Sequence, residues 1–122
     1  MKVVTFNIRC DYGQDGLNEF ANRKELILRK INQEKPDIIG FQEVLPHVAN
    51  WLKENLNEYY VIGCGRGANL RDEQMSIAYR RDIINLISME TWWLSQTPDV
   101  PGSRYEEQSS CPRTATEAVF ED

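Results

Sequence analysis

Cysteine is scarce in this sequence, and its spacing argues against a disulfide-stapled protein. The 122 residues include three cysteines, Cys10, Cys64 and Cys111, and none of them lies in a Cys-x-x-Cys pair. An odd number of widely spaced cysteines is typical of free thiols in a reducing compartment. We therefore expect a cytoplasmic protein.

Long apolar runs and an excess of positive charge are also missing. No stretch of 18 apolar residues is present, so we expect no membrane span. The apolar start of the chain is too short for a signal peptide and is interrupted at Asn7 and Arg9. With 14 Lys and Arg against 19 Asp and Glu, the net charge is −5. Since no overall basic field exists, a polyanion would have to bind at a local site.

A nucleotide-binding glycine loop is absent as well. The segment GCGRGAN lacks the Gly-x-x-x-x-Gly-Lys pattern followed by Ser or Thr, and no helical pattern follows it. The remaining composition, 41% hydrophobic and 27% charged residues, is ordinary for a globular protein. At 122 residues the chain is one domain at most, with the bounds 1–122.

The pattern of apolar residues predicts six strands and two helices. Runs rich in β-branched and aromatic residues predict strands, and apolar residues at helical spacing predict helices. The strands are expected at 2–8, 37–43, 59–63, 75–80, 83–94 and 113–120, and the helices near 21–35 and 46–56. This order predicts an α/β fold with one mixed sheet and both helices on one of its faces. A long irregular segment, 95–112, precedes the last strand.

Two polar residues at predicted strand ends are candidates for chemistry. Asn7 could orient a phosphate oxygen, a water or a carboxylate, or it could cap the loop that follows its strand. Glu43 should share a strand face with Ile39 and Phe41, because strand side chains alternate. A carboxylate at the end of an apolar face is costly to bury unless it is paired or bound to a cation. Mg²⁺ or Mn²⁺ suits such an oxygen ligand; the alternative is a Glu in solvent or in a salt bridge.

Other charged residues are weaker candidates when each is considered alone. Glu73 precedes a predicted strand and could be an ordinary solvated loop residue. Arg9 and Arg113 lie at strand margins, where the guanidinium fork could bind phosphate or form a structural salt bridge. His47 is the single histidine, and its place after Pro46 favours a capping or surface role over that of a base.

Five motifs together resemble one family. MKVVTFNIR, KPDIIGFQEV, EQMSIAYRRD, TWWLSQTPDVPGSR and CPRTATEAVF occur in this order over nearly the whole chain. They resemble the endonuclease/exonuclease/phosphatase superfamily, whose members include pancreatic deoxyribonuclease, abasic-site endonucleases, inositol polyphosphate phosphatases, sphingomyelinases and deadenylases. The WLSQTPDVPGSR stretch resembles a bacterial branch. The resemblance implies a two-sheet α/β sandwich of the deoxyribonuclease type, of which this chain would be the N-terminal half, with its helices on the outer face.

The resemblance also implies roles for individual residues. Glu43 matches the Mg²⁺ ligand, and Asn7 matches an amide of the metal or phosphate site. Glu73 matches a glutamate that orients a catalytic histidine in relatives. Arg113 matches a phosphate contact, and Arg9 could be another. The implied reaction is metal-dependent hydrolysis of a phosphodiester or phosphomonoester by a one-step attack on phosphorus.

The departures from the family pattern shape what we expect of this chain by itself. The sequence contains no Asp-x-Asn and no Asp-His, the motifs that in relatives position the nucleophilic water and supply catalytic groups. We therefore expect weak binding of Mg²⁺ or Mn²⁺ and an inactive chain unless it is joined to its other half. The alternative is a non-catalytic module that keeps the half-fold for binding or assembly. The substrate class is not indicated.

An exposed sheet face is the last expectation. In the family fold, the inner face of this sheet packs on the sheet of the other half. We expect Ile39, Phe41 and one of Trp92 and Trp93 on that face. An exposed apolar patch of this kind favours self-association or binding of the complementary half.

Overall fold

A computed structural model describes residues 1–107 and 110–122 of the chain. Over these residues it contains every predicted strand and helix, with bounds that differ by a few positions. The elements are β1 (Val3–Asn7), α1 (Phe20–Glu34), β2 (Ile38–Gln42), α2 (Pro46–Asn55), β3 (Tyr59–Ile62), β4 (Ile77–Arg80), β5 (Asn85–Trp93) and β6 (Thr114–Glu121). The 95–112 segment is irregular where it is described, and its positions 108 and 109 lie outside the described residues.

A proline lies just after the end of α1, and another lies at the start of α2. Lys35 takes a left-handed conformation with φ of 46° after the last turn of α1, and its N–H donates to the Ile31 carbonyl at 2.8 Å. Pro36 follows and cannot continue the helix. Pro46 lies in the first turn of α2, where its missing N–H is not needed. No helix of the described residues is long and apolar enough to cross a membrane.

The strands form two sheets rather than one. The larger sheet has the order β1-β2-β4-β3, with β1 parallel to β2 and with β4 antiparallel to both of its neighbours. The mixed α/β character is therefore confirmed. The single six-stranded sheet is wrong, because β5 and β6 pair with each other in a separate antiparallel ribbon. Both edges of β4 are already occupied, so β5 cannot pair with the strand that precedes it.

The core lies between the helices and one face of the larger sheet. From the sheet it contains Ile39 and Phe41, each 1% exposed. From the helices it contains Ile27 and Ile31 of α1 and Val48, Ala49 and Leu52 of α2. Burying each of the Ile, Val, Leu and Phe side chains stabilises the fold by about 1.5–3 kcal/mol. The helices therefore cover the Ile39 face of the sheet.

This packing corrects the expected exposed face. Ile39 and Phe41 point to the helices and are buried, which contradicts their expected place on an open surface. Trp93 is only 4% exposed, whereas Trp92, the alternative to it, is half-buried. The opposite face carries Val3, Thr5 and Asn7 of β1, which are exposed. The ribbon packs on part of that face, where the Phe120 and Tyr79 rings are 5.1 Å apart. Self-association through the open part of the sheet stays a prediction.

Leu52 and Leu26 offer a matched test of where the core lies. Leu52 is fully buried in α2, whereas Leu26 of α1 is 62% exposed. Leu52→Ala should lower the free energy of unfolding by about 2–5 kcal/mol, because it removes buried contacts and leaves a cavity. Leu26→Ala should change it by no more than about 0.5 kcal/mol. Urea unfolding followed by circular dichroism measures both; equal losses would place the core elsewhere.

Candidate active site

The chain turns sharply at Glu43, directly after β2. Glu43 has a φ of 62°, a left-handed conformation that costs a non-glycine residue about 1–3 kcal/mol and is concentrated at functional sites. Strand alternation therefore ends at Gln42, and the expected common face of Glu43 with Ile39 and Phe41 is wrong. The Glu43 side chain is held instead by the backbone N–H of Cys10, which donates to its Oε2 at 3.0 Å.

A short backbone pairing brings Glu73 to the same place. Val44 and Gln74 exchange two hydrogen bonds, with N···O distances of 3.3 and 2.7 Å. Gln74 also pairs with Gly65 across the loop 63–76, which joins β3 to β4. Because Glu43 and Glu73 each precede a residue of the Val44–Gln74 pair, both carboxylates reach the same end of the sheet.

A cavity of about 380 Å³ lies at this end of the sheet. It is lined by Asn7, Gln42, Glu43, Arg66, Glu73, Met75, Leu94, Arg113 and Thr114. Four residues selected from the sequence, Asn7, Glu43, Glu73 and Arg113, are thus brought together although they come from distant parts of the chain. Their roles stay predictions.

The polar groups in the cavity differ in how far they are already engaged. The Asn7 Oδ1 accepts a hydrogen bond from the Arg9 N–H at 2.9 Å, and over the described residues its Nδ2 donates to nothing. The Oε1 of Glu43 is likewise without a partner in the part of the chain that the structure describes. Arg113 forms no ion pair with any described residue. One carboxylate oxygen, one amide donor and one guanidinium are therefore available to a ligand.

This set of donors fits a hard divalent cation in part. The free carboxylate oxygen of Glu43 is the kind of ligand that Mg²⁺ or Mn²⁺ prefers. Asn7 fits less well, because its oxygen already accepts the Arg9 N–H. Across residues 1–107 and 110–122, no group of three or more His, Cys, Asp or Glu side chains could hold a metal ion. At this cavity the described residues therefore offer one free carboxylate oxygen to a cation.

Arg9 and His47 are not brought into the cavity. The Arg9 guanidinium binds Asp15 through two hydrogen bonds of 3.1 and 3.0 Å, which holds the pKa of the Asp15 carboxyl below its usual range. Of the two roles considered for Arg9, phosphate binding and a structural salt bridge, the structure contains the salt bridge. His47 is exposed in the first turn of α2, with its Nε2 2.7 Å from the Asp11 carboxylate, in agreement with a surface role.

Arg66 is a site residue that the sequence did not single out. It is 8% exposed and forms ion pairs with Asp72 at 3.2 Å and with Glu73 at 2.5 Å. The indole N–H of Trp93 donates to the Arg66 carbonyl at 2.8 Å. The GCGRGAN segment lacks a nucleotide-binding pattern, so the sequence gives Arg66 no such role. The one feature of the sequence that could have indicated Arg66 is its place between two glycines, a few residues before the acidic pair Asp72 and Glu73.

Cys10 lies between the two glutamates. Its N–H binds Glu43, and its thiol lies near Tyr12 and Glu73. Burial is the main reason why the pKa of the Cys10 thiol is raised, and the nearby carboxylates raise it further. The thiol is therefore neutral at physiological pH, the form that is a poor nucleophile.

Comparison with known proteins identifies the family. The model of the endonuclease/exonuclease/phosphatase family matches residues 4–105. The chain belongs to this family. The resemblance of its motifs is thereby confirmed.

Solved structures with this fold agree closely in their backbone. The endonuclease/exonuclease/phosphatase from Bacteroides vulgatus is 38% identical, with a TM-score of 0.89 over 97% of this chain and 45% of its own. The mannosyl-6-phosphatase of Bacteroides thetaiotaomicron is 30% identical, with a TM-score of 0.91 over 99% of this chain and 46% of its own. An uncharacterized protein of Acanthamoeba polyphaga mimivirus is 34% identical over 83% of this chain and 40% of its own. The chain thus spans less than half the length of these relatives.

Gly65 allows a direct test of the cavity wall. A Cβ at Gly65 would lie 2.1 Å from the Arg71 carbonyl oxygen, whereas one at Gly40 would meet nothing within 4 Å. Gly65→Ala should lower the free energy of unfolding by about 1–3 kcal/mol or more, because the loop backbone must move. Gly40→Ala should leave it nearly unchanged. Thermal unfolding with equal midpoints for the two variants would contradict the tight packing of this loop.

Proposed function

We propose that the complete domain to which this chain contributes hydrolyses phosphate esters with a divalent cation, Mg²⁺ or Mn²⁺. The observation that carries the proposal is the single cavity lined by Asn7, Glu43, Glu73 and Arg113. Family membership supports phosphoester chemistry in general. The Glu43 carboxylate oxygen Oε1 and the Arg113 guanidinium, which have no ion-pair or hydrogen-bond partner among the described residues, support a site for a cation and an anion together.

Glu43 is the residue that would hold the cation. When bound, the cation would supply positive charge against the negative charge of the phosphoryl oxygens. Glu43 is suited to this because the Cys10 N–H fixes one of its oxygens and leaves the other available. Preorganised ligands of this kind lose little entropy when the ion binds.

Asn7 and Arg113 would bind the phosphate group and the attacking water. The Nδ2 of Asn7 can donate to a phosphate oxygen or to a water, and its orientation is fixed because Oδ1 already accepts the Arg9 N–H. The Arg113 fork matches two oxygens of a phosphate. Glu73, held by Arg66, would orient a proton-carrying group from the rest of the domain. Transition-state charge would then be stabilised by groups already in position.

We infer that this chain is inactive without the rest of the domain. The described lining of the cavity contains no histidine and a single carboxylate that is free to bind a cation. Catalytic groups of this type act as a unit, so a part of the set does not give a part of the rate. The remaining groups would come from the complementary half, or the chain would self-associate through its open sheet face. A chain that does neither would be a binding module without activity.

One relative supports a small phosphomonoester over a polynucleotide as the substrate. The mannosyl-6-phosphatase, 30% identical, acts on a sugar phosphate by its name. The likenesses to human Nocturnin and to the zebrafish protein TDP2 are below 25% identity and support the fold alone. The net charge of −5 also gives a long polyanion no general attraction. The free thiols of Cys10 and Cys64 support a cytoplasmic location.

The Glu43 carboxylate should be essential for turnover. In the full-length protein assayed with Mg²⁺ on a panel of sugar phosphates, nucleotides and phosphodiesters, Glu43→Gln should lower kcat on the order of 10²-fold or more. Glu25→Gln, at an exposed position of α1, removes the same charge away from the cavity and should leave kcat unchanged. Turnover that survives Glu43→Gln, or that needs no divalent cation, would contradict the proposed function.

Cation binding by this chain alone should be weak. One carboxylate and one amide leave most of the roughly six positions around Mg²⁺ to water. Titration calorimetry of the 122-residue chain should detect no binding tighter than about millimolar. Micromolar affinity for Mg²⁺ that is lost in Glu43→Gln would show a more complete site than the described residues provide.

A further inference from the structure

Among the described residues that line the cavity, Arg66 is the one buried cation. The proposed chemistry assigns it no contact with substrate. Its side chain is 10% exposed, and its Nη2 and Nε bind Glu73 and Asp72. Asp72 in turn accepts a hydrogen bond from the Tyr12 hydroxyl at 3.2 Å. Arg66 thus connects the loop after β1 to the wall of the cavity through carboxylates.

Backbone hydrogen bonds within the loop 63–76 fix the position of Arg66. The N–H groups of Gly65 and Gly67 donate to the carbonyls of Leu70 and Arg71, both at 2.9 Å. Leu70 and Asp72 have φ values of 63° and 74°, a conformation that costs non-glycine residues free energy. Strained backbone of this kind persists only where the surroundings over-determine it. A surface salt bridge would not require such a loop.

The carbonyl of Arg66 is anchored independently of its side chain. It accepts the buried indole N–H of Trp93 at 2.8 Å, and the Arg66 N–H donates to the Glu73 carbonyl at 3.0 Å. The Arg66 side chain is therefore held at both ends, by its fixed backbone and by the two carboxylates that bind its guanidinium. Glu73 itself is 15% exposed on its side chain and lies near the Cys10 thiol. A carboxylate that is largely enclosed and held by an ion pair has little rotational freedom.

We propose that Arg66 is a positioning residue for the reaction: it holds the Glu73 carboxylate at the cavity wall and acts on turnover through Glu73. The inference rests on the proposed function. Arginine suits this task because its planar fork binds two carboxylates at once, which a lysine ammonium does not do with the same geometry. Removing it leaves a largely buried carboxylate without its ion pair, and a displacement of about 1 Å can cost about 10²-fold in rate.

A double-mutant cycle in the full-length protein tests this directly. Arg66→Gln and Glu73→Gln should each lower kcat on the order of 10²-fold, with KM for the phosphoester changed much less. Because Arg66 acts through Glu73, Arg66→Gln in the Glu73→Gln background should change kcat by less than about twofold. Arg66→Lys, which keeps the charge, should restore part of the rate. Arg71→Gln, at an exposed position of the same loop, is the matched control and should match the wild type.

Each other outcome overturns the inference. Multiplicative losses in the double variant would show that Arg66 acts independently of Glu73. A rise in KM with kcat unchanged would mark Arg66 as a direct phosphate contact. Arg66→Gln could instead lower kcat only because the variant unfolds at a lower temperature. If kcat then returns to the wild-type value in assays well below that unfolding temperature, the role of Arg66 is structural. If the wild-type protein shows no turnover, the proposed function is rejected and this inference with it. If the wild type is active and the effects of the two variants on the activation free energy add, this inference alone is rejected.

Discussion

The pairing of Val44 with Gln74 is the interaction on which the candidate site depends. Two backbone hydrogen bonds join the end of β2 to the loop between β3 and β4. Glu43 and Glu73 each precede a residue of this pair, and the pairing of Gln74 with Gly65 brings Arg66 beside them. Since β1 lies parallel to β2, Asn7 ends at the same edge. Without this pairing the two glutamates would lie on unconnected loops.

The charges around the cavity divide into a paired set and an available set. Glu73 forms an ion pair with Arg66, which offsets part of the cost of removing its charge from water. Glu43 receives only the neutral Cys10 N–H, and Arg113 has no ion-pair partner among the described residues. One negative and one positive group are thus left for a cation and an anion. A site that is prepared in this way stabilises charge without reorganising when the ligand arrives.

The sequence predicted the elements of this fold better than their arrangement. Runs of β-branched and aromatic residues identified each strand, and helical periodicity identified both helices, because burial imposes these patterns. The pairing of β5 could not be predicted, since the residue pattern of a strand does not determine which other strand it pairs with. The left-handed turn at Glu43 and the helix-covered face of Ile39 depend on tertiary packing. Family motifs predicted Asn7, Glu43, Glu73 and Arg113; Arg66 was missed because its partners become neighbours only when the loop folds.

Anomalous diffraction from crystals of the full-length protein with Mn²⁺ and inorganic phosphate tests the central claim most directly, that this cavity is the phosphoester site. The account predicts a Mn²⁺ peak bonded to Glu43 at about 2.0–2.3 Å, with phosphate oxygens in contact with Arg113 and the amide of Asn7. Arg66 should still bind Glu73 in that structure. Mn²⁺ bound away from Glu43, or phosphate bound outside the cavity while both ligands are present, would contradict the account.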